Sequence, residues 1–140
     1  MTFARHAWVP TICWVLTGWP VLDSHARYLY AKNEGPERLM KSSENYFGDE
    51  DTMREGNPQM VLERGEQESL PPMLILQGTA DDNVPLSISE RFVEAYGAAG
   101  GSVERELFPG MPHAFGRQPG PESDRAIALM KDFVARQFDS

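Results

Sequence analysis

The chain has 140 residues, about one domain's length. With 41% hydrophobic and 24% charged residues, its composition is that of a folded soluble domain and excludes a disordered one. Its 13 Lys+Arg stand against 21 Asp+Glu, a formal charge of -8. Nucleic acids and anionic membranes require a basic surface, so neither is an expected partner. A single cysteine, Cys13, allows no internal disulfide and no thiolate cluster for zinc. A reducing cytoplasm is the expected compartment.

The first apolar run, Trp8 to Leu16, is rich in β-branched and aromatic residues and does not alternate. That pattern predicts a strand buried on both faces, as in a parallel sheet. Arg5 ahead of it faintly suggests a signal peptide, but Pro10 interrupts the run and no small-residue cleavage pattern follows. The run is also too short to span a bilayer. From about residue 21 to 65 the sequence is polar and helical in patches, including Glu37 to Tyr46 and Gln59 to Arg64. Its composition predicts a helical, cap-like insertion. After Pro71-Pro72, Met73 to Leu76 reads as a second fully apolar strand, stopped by Gly78. Ser87 to Ala99 follows as a helix, with Ile88, Phe92, Val93 and Tyr96 on one face. Val103 to Phe108 is a third strand, more polar and so nearer an edge. The last helix is predicted over Ser123 to Phe138, with Ser123 as its N-cap. Strand, helical insertion, strand, helix, strand, helix is the order of an α/β fold with a parallel sheet.

In open parallel sheets, chemistry gathers in the loops after the carboxyl ends of strands. Two such loops deliver one ionisable group each. Gly78-Thr79-Ala80-Asp81 follows the second strand, and Pro109 to Gly116, carrying His113, follows the third. An Asp and a His at the same end of adjacent strands can share a hydrogen bond that fixes the imidazole tautomer and stabilises its charged form. Alone, Asp81 could be a turn cap and His113 a surface residue. Their pairing, chain order and loop positions favour the base half of a nucleophile–His–Asp triad. Asp82 is the substitute for Asp81, with capping or solvation as its expected role.

GTAD-x-x-VP (Gly78 to Pro85) followed by FPGMPHAF (Phe108 to Phe115) resembles the C-terminal part of α/β-hydrolase esterases and lipases of bacterial type. GWPVLD-x-x-ARY, from Gly18 to Tyr28, is similar to the segment after the sixth strand in such proteins. The resemblance covers nearly the whole chain. It implies a mostly parallel eight-stranded sheet, of which this chain supplies about three strands with flanking helices and a cap-like insertion (21–65), the strand–loop segments 71–140 carrying Asp and His. It also implies that Asp81 orients His113, that His113 is the general base, and that the substrate is a carboxylic ester.

The G-x-S-x-G nucleophile elbow of that family is absent, as is a glycine-rich oxyanion loop. Ser102 has Gly100 two residues before it but Glu104 two after it, and Ser24 lies between Asp23 and His25. Cys13 has no framing glycine and is expected to be buried packing. The expectation is therefore a C-terminal portion of a longer serine hydrolase with little catalysis of its own. The alternative is a non-catalytic remnant that binds a partner or self-associates through an open sheet edge. Trp19, following a strand's carboxyl end, is the candidate for the substrate pocket. Tyr28, Tyr30, Tyr46 and Phe47 are expected to pack beneath the cap. The trio Asp49-Glu50-Asp51 lacks the spacing of a calcium loop and reads as helix-start acids. A metal site at Asp81, Asp82 and His113 is conceivable, but the triad reading is favoured. His6 and His25 are assigned surface or loop roles. No cofactor or metal is expected.

Overall fold

The computed structural model describes residues 14–139. Three parallel strands, β1 (Val15–Gly18), β2 (Met73–Gly78) and β3 (Val103–Phe108), lie side by side in sequence order. Val15 is in register with Met73 and Met73 with Val103, so all three carboxyl ends point the same way. Between β1 and β2 run four helices: α1 (Ser24–Asn33), α2 (Glu37–Phe47), α3 (Glu50–Glu55) and α4 (Pro58–Arg64). Helix α5 (Leu86–Ala98) connects β2 to β3, and α6 (Pro121–Phe138) follows β3 after a short 3₁₀ turn, Phe115–Arg117.

Strand β2 is the centre of the fold, and all six of its residues are buried. Successive side chains of a strand point to opposite faces. Leu74 and Leu76 accordingly pack with Phe108, Phe115 and Phe133 on the α6 side. Met73 and Ile75 pack with Leu22, Phe92 and Tyr96 on the α5 side. Ile75 and Leu76 are 0% exposed, and full burial of such a side chain contributes roughly 1.5–3 kcal/mol. Strand β1 differs from its expectation: Val15–Gly18 are half-buried, not buried on both faces. Among the described residues β1 has a neighbour on one side only. The first part of the predicted strand, residues 8–13, lies outside the described residues, as do Cys13 and His6.

The helical insertion is held by caps and one buried carboxylate. Asp23 caps α1 by accepting from the Ala26 amide at 2.9 Å. The same oxygen accepts from Asn57 Nδ2 at 2.7 Å, and the other lies 3.6 Å from Arg91 of α5. Asn57 in turn caps α4, accepting from the Gln59 amide at 3.0 Å. The starts of α1 and α4 are thereby tied to each other and to α5. Asp49 caps α3 with a 2.7 Å bond from the Thr52 amide, and Glu50 and Asp51 fill that helix's first turn. The acidic trio thus has the helix-start role its spacing implied.

Three side chains depart from expectation. His25 is not on the surface: it is buried in α1 and its Nε2 lies 3.0 Å from Glu50 Oε2 of α3. That hydrogen bond holds the Glu50 carboxyl below the usual carboxylate range. Tyr46 does not pack beneath the helices; it is 82% exposed, because only Leu39 and Ser43 of α2 face inward. Ser123 does not cap α6, which starts two residues earlier at Pro121 behind Gly120. The Ser123 hydroxyl instead donates to the carbonyls of Gln118 and Phe115 and braces the preceding turn.

Candidate active site

The Asp81 and His113 loops meet because a glycine lets them. Gly78 ends β2, and a Cβ on it would stand 2.0 Å from the Met111 carbonyl oxygen. The two loops are then stitched together by backbone. The Thr79 amide donates to Phe108 O (3.0 Å) and the Ala80 amide to Met111 O (3.0 Å). The Gly110 amide donates to Thr79 Oγ1 at 2.7 Å. Three residues past the strand end, Asp81 faces His113, with Nδ1 2.9 Å from Oδ2 and 3.1 Å from Oδ1.

Asp81 does two jobs with one carboxylate. Its Oδ1 accepts from the backbone amides of Asn83 and Val84, both at 2.9 Å. That is the turn-capping role a strand-end Asp often has, and here it also fixes the carboxylate's orientation. The Asp81 side chain is 0% exposed and that of His113 26%. An ionised carboxylate only accepts, so Nδ1 must carry the proton and Nε2 the free lone pair. Nε2 has no hydrogen-bond partner among the described residues. Asp82 is exposed and turned away; only its carbonyl is engaged, by the Tyr30 hydroxyl at 3.1 Å. The structure thus brings Asp81 to His113 and leaves Asp82 out. No cluster of three metal-ligating side chains exists among the described residues.

Trp19 sits immediately after β1 with φ at 44°, in the left-handed region that a bulky residue rarely adopts. Its amide donates to Leu76 O at 2.7 Å. Its ring meets His113 edge-on at 6.4 Å between centroids and Phe115 at 5.4 Å. Ala114, the residue after His113, is the other non-glycine with positive φ, at 58°. Both unusual backbones flank the imidazole, where strain of this kind is commonly concentrated.

Sequence reasoning did not single out the groups that hold the Asp loop from behind. Arg27 of α1 donates from Nε to Asn83 O and Oδ1, each at 3.1 Å, and from Nη2 to Asn83 Oδ1. Burial lowers its pKa most, the nearby Arg38 lowers it further, and Asp81 pulls it back up. Gln77, buried in β2, donates to the Val84 carbonyl at 2.8 Å. The signals available were the Ala26-Arg27-Tyr28 of the GWPVLD-x-x-ARY segment and position: α1 starts five residues after Trp19, so its first turn must lie at the carboxyl end of the sheet.

Residues 15–140 match Peptidase_S9, the prolyl oligopeptidase family. The chain belongs to that family. Its three parallel strands and flanking helices match part of an α/β-hydrolase fold, as the resemblance implied. Among solved structures, the chain is similar to esterase 2 of the Planctomycetes species Thermogutta terrifontis. The sarin-phosphonylated form is 25% identical with a TM-score of 0.69, covering 89% of this chain and 44% of that one. The apo form is 28% identical with a TM-score of 0.62, covering 89% and 42%. The propionate-bound form, 24% identical with a TM-score of 0.64, covers the same shares, 89% and 42%. The chain thus spans about 42% of the length of the esterase. No curated protein matches it. As a member of the Peptidase_S9 family, it places Asp81 and His113 in the loops after two adjacent parallel strands, and no described helix is long and apolar enough to cross a membrane.

Proposed function

We propose that this chain carries the acid and base of a serine-hydrolase site that cleaves carboxylic esters. The supporting observation is the Asp81–His113 pair, buried on the acid side and open at Nε2. With Nδ1–H held by Asp81, Nε2 takes the proton of an attacking hydroxyl as the acyl-enzyme forms. It later returns that proton to the leaving alcohol, while Asp81 stabilises the imidazolium. The 140 residues contain no G-x-S-x-G, so the nucleophile and the oxyanion-hole amides come from polypeptide outside them. The likeness to an esterase supports ester rather than peptide cleavage, because the fold alone serves both chemistries.

The test is to express the gene with its upstream reading frame and assay p-nitrophenyl esters. Hydrolysis is expected only where a G-x-S-x-G is included, and His113→Ala should remove about 10⁶-fold of it. Hydrolysis that survives His113→Ala would overturn the reading. The 140 residues by themselves should give no burst of p-nitrophenol.

A second reading rests on β1, whose four residues are only half-buried. An uncovered strand edge is a template for pairing, so the chain alone would associate through β1. Light scattering that shows a monomer at 100 µM (about a thousandfold above a 100 nM dimer constant) would remove it.

A further inference from the structure

Asn83 lies two residues beyond Asp81, and its amide donates to Asp81 Oδ1 at 2.9 Å. Its carbonyl and its side-chain Oδ1 both accept from Arg27 Nε at 3.1 Å, and Oδ1 accepts again from Arg27 Nη2. A turn asparagine ordinarily bonds the backbone amide two residues on. Here that residue is Pro85, which has no amide, and Asp81 already caps the turn. The Asn83 oxygen is left for the guanidinium.

Arg27 is itself held in place. It stands one turn into α1, where its own amide donates to Asp23 O at 3.0 Å. Asp23 is buried, caps α1 and is bonded to Asn57 at the start of α4. Three residues further along α1, on the same face, the Tyr30 hydroxyl donates to Asp82 O at 3.1 Å. The segment 81–83 is therefore fastened along its length: Asp81 to His113, Asp82 and Asn83 to α1. One unbroken set of hydrogen bonds runs from α1 through Arg27, Asn83 and Asp81 to the imidazole.

We propose that Arg27 is a positioning residue for the His113–Asp81 pair: through Asn83 it fixes where the Asp81 carboxylate meets Nδ1. The work needs a fork, because Nε and Nη2 engage the same asparagine together and a single ammonium would leave it free to turn. The effect on rate rests on the ester-hydrolase reading; the geometry of the pair does not.

The test uses the whole enzyme, expressed with its upstream reading frame. Arg27→Met keeps the side chain's stem and removes the guanidinium. It should lower kcat about a hundredfold and leave KM within about twofold. Arg27→Lys keeps the charge near Asp81 without the fork and should fall nearly as far. Asn83→Ala removes the same link from its other end while retaining the amide that bonds Asp81. It should also lower kcat, and the double variant should be no slower than Arg27→Met. The low-field Nδ1–H proton resonance of His113, identified by its absence in His113→Ala, should be lost to solvent exchange in both single variants. Should Arg27→Met fail to fold, Asn83→Ala carries the same prediction. Multiplying losses in the double variant, full activity of Arg27→Lys, a raised KM at unchanged kcat, or an unaltered resonance would each overturn the proposal. The resonance needs no turnover. An enzyme that hydrolyses no ester yet loses this signal in Arg27→Met would remove the hydrolase reading and sustain the positioning role.

Discussion

The carbonyl oxygen of Met111 occupies the place where a side chain on Gly78 would begin, 2.0 Å from its ideal Cβ. Two loops that are 32 residues apart at Asp81 and His113 can therefore close on each other. Gly78→Ala should force them apart. Overpacking of this kind costs about 1–3 kcal/mol, and a backbone atom cannot swing aside as a side chain tip can. Urea denaturation should show that loss, together with a changed His113 imidazole resonance. An unaltered imidazole signal would mean that the loops do not depend on this contact.

Asp81→Asn tests the tautomer. The two backbone amides of Asn83 and Val84 should retain the amide oxygen, turning the Nδ2 hydrogens toward His113 Nδ1. Donor would then face donor, so the imidazole should move its proton to Nε2. Imidazole ¹⁵N spectra should show Nδ1–H in the wild type and Nε2–H in the variant. In a complete enzyme the same substitution should lower kcat about 10⁴-fold. Retention of Nδ1–H in the variant would show that Asp81 does not set the tautomer.

Trp19 predicts an inverted glycine effect. Glycine in place of alanine normally destabilises, but at φ 44° the Cβ itself is the source of strain. Both Trp19→Ala and Trp19→Gly lose the contacts with His113 and Phe115. Trp19→Gly should nevertheless be the more stable of the two by about 1 kcal/mol. Thermal melts of the pair decide it, and the reverse order would place the residue in an unstrained backbone.

Glu104 on β3 and Arg136 on α6 give a pH-dependent tie between sheet and helix. Their oxygens and nitrogens pair at 2.8 and 2.9 Å. Hydrogen bonding to Arg136 holds the Glu104 carboxyl below its ordinary value of 4.5. A depressed folded pKa stabilises above the unfolded pKa, and that contribution is lost as pH falls through the folded value. Glu104→Gln should thus lower Tm at pH 7, by an amount worth less than about 1 kcal/mol because the pair is partly exposed. The gap to wild type should shrink steadily below about pH 4.5. A gap independent of pH would assign the effect to packing.

The order of strands and helices, the apolar run of β2 and the placing of Asp81 and His113 in successive strand-end loops were all legible in the sequence. Local rules suffice there: side-chain periodicity names an element, and glycine and proline mark its end. The preference for Asp81 over Asp82 came with the resemblance of GTAD-x-x-VP to hydrolase sequences. What sequence could not supply was which long-range partner each polar group would find. His25 looked like a surface residue, yet it is buried because α3 brings Glu50 to it. Tyr46 looked like core, yet the turn of α2 faces it outward. Arg27 grips the Asp loop only because α1 returns over the end of β2. Periodicity is a property of neighbours along the chain, whereas burial and charge pairing are properties of neighbours in space, and only the fold chooses those.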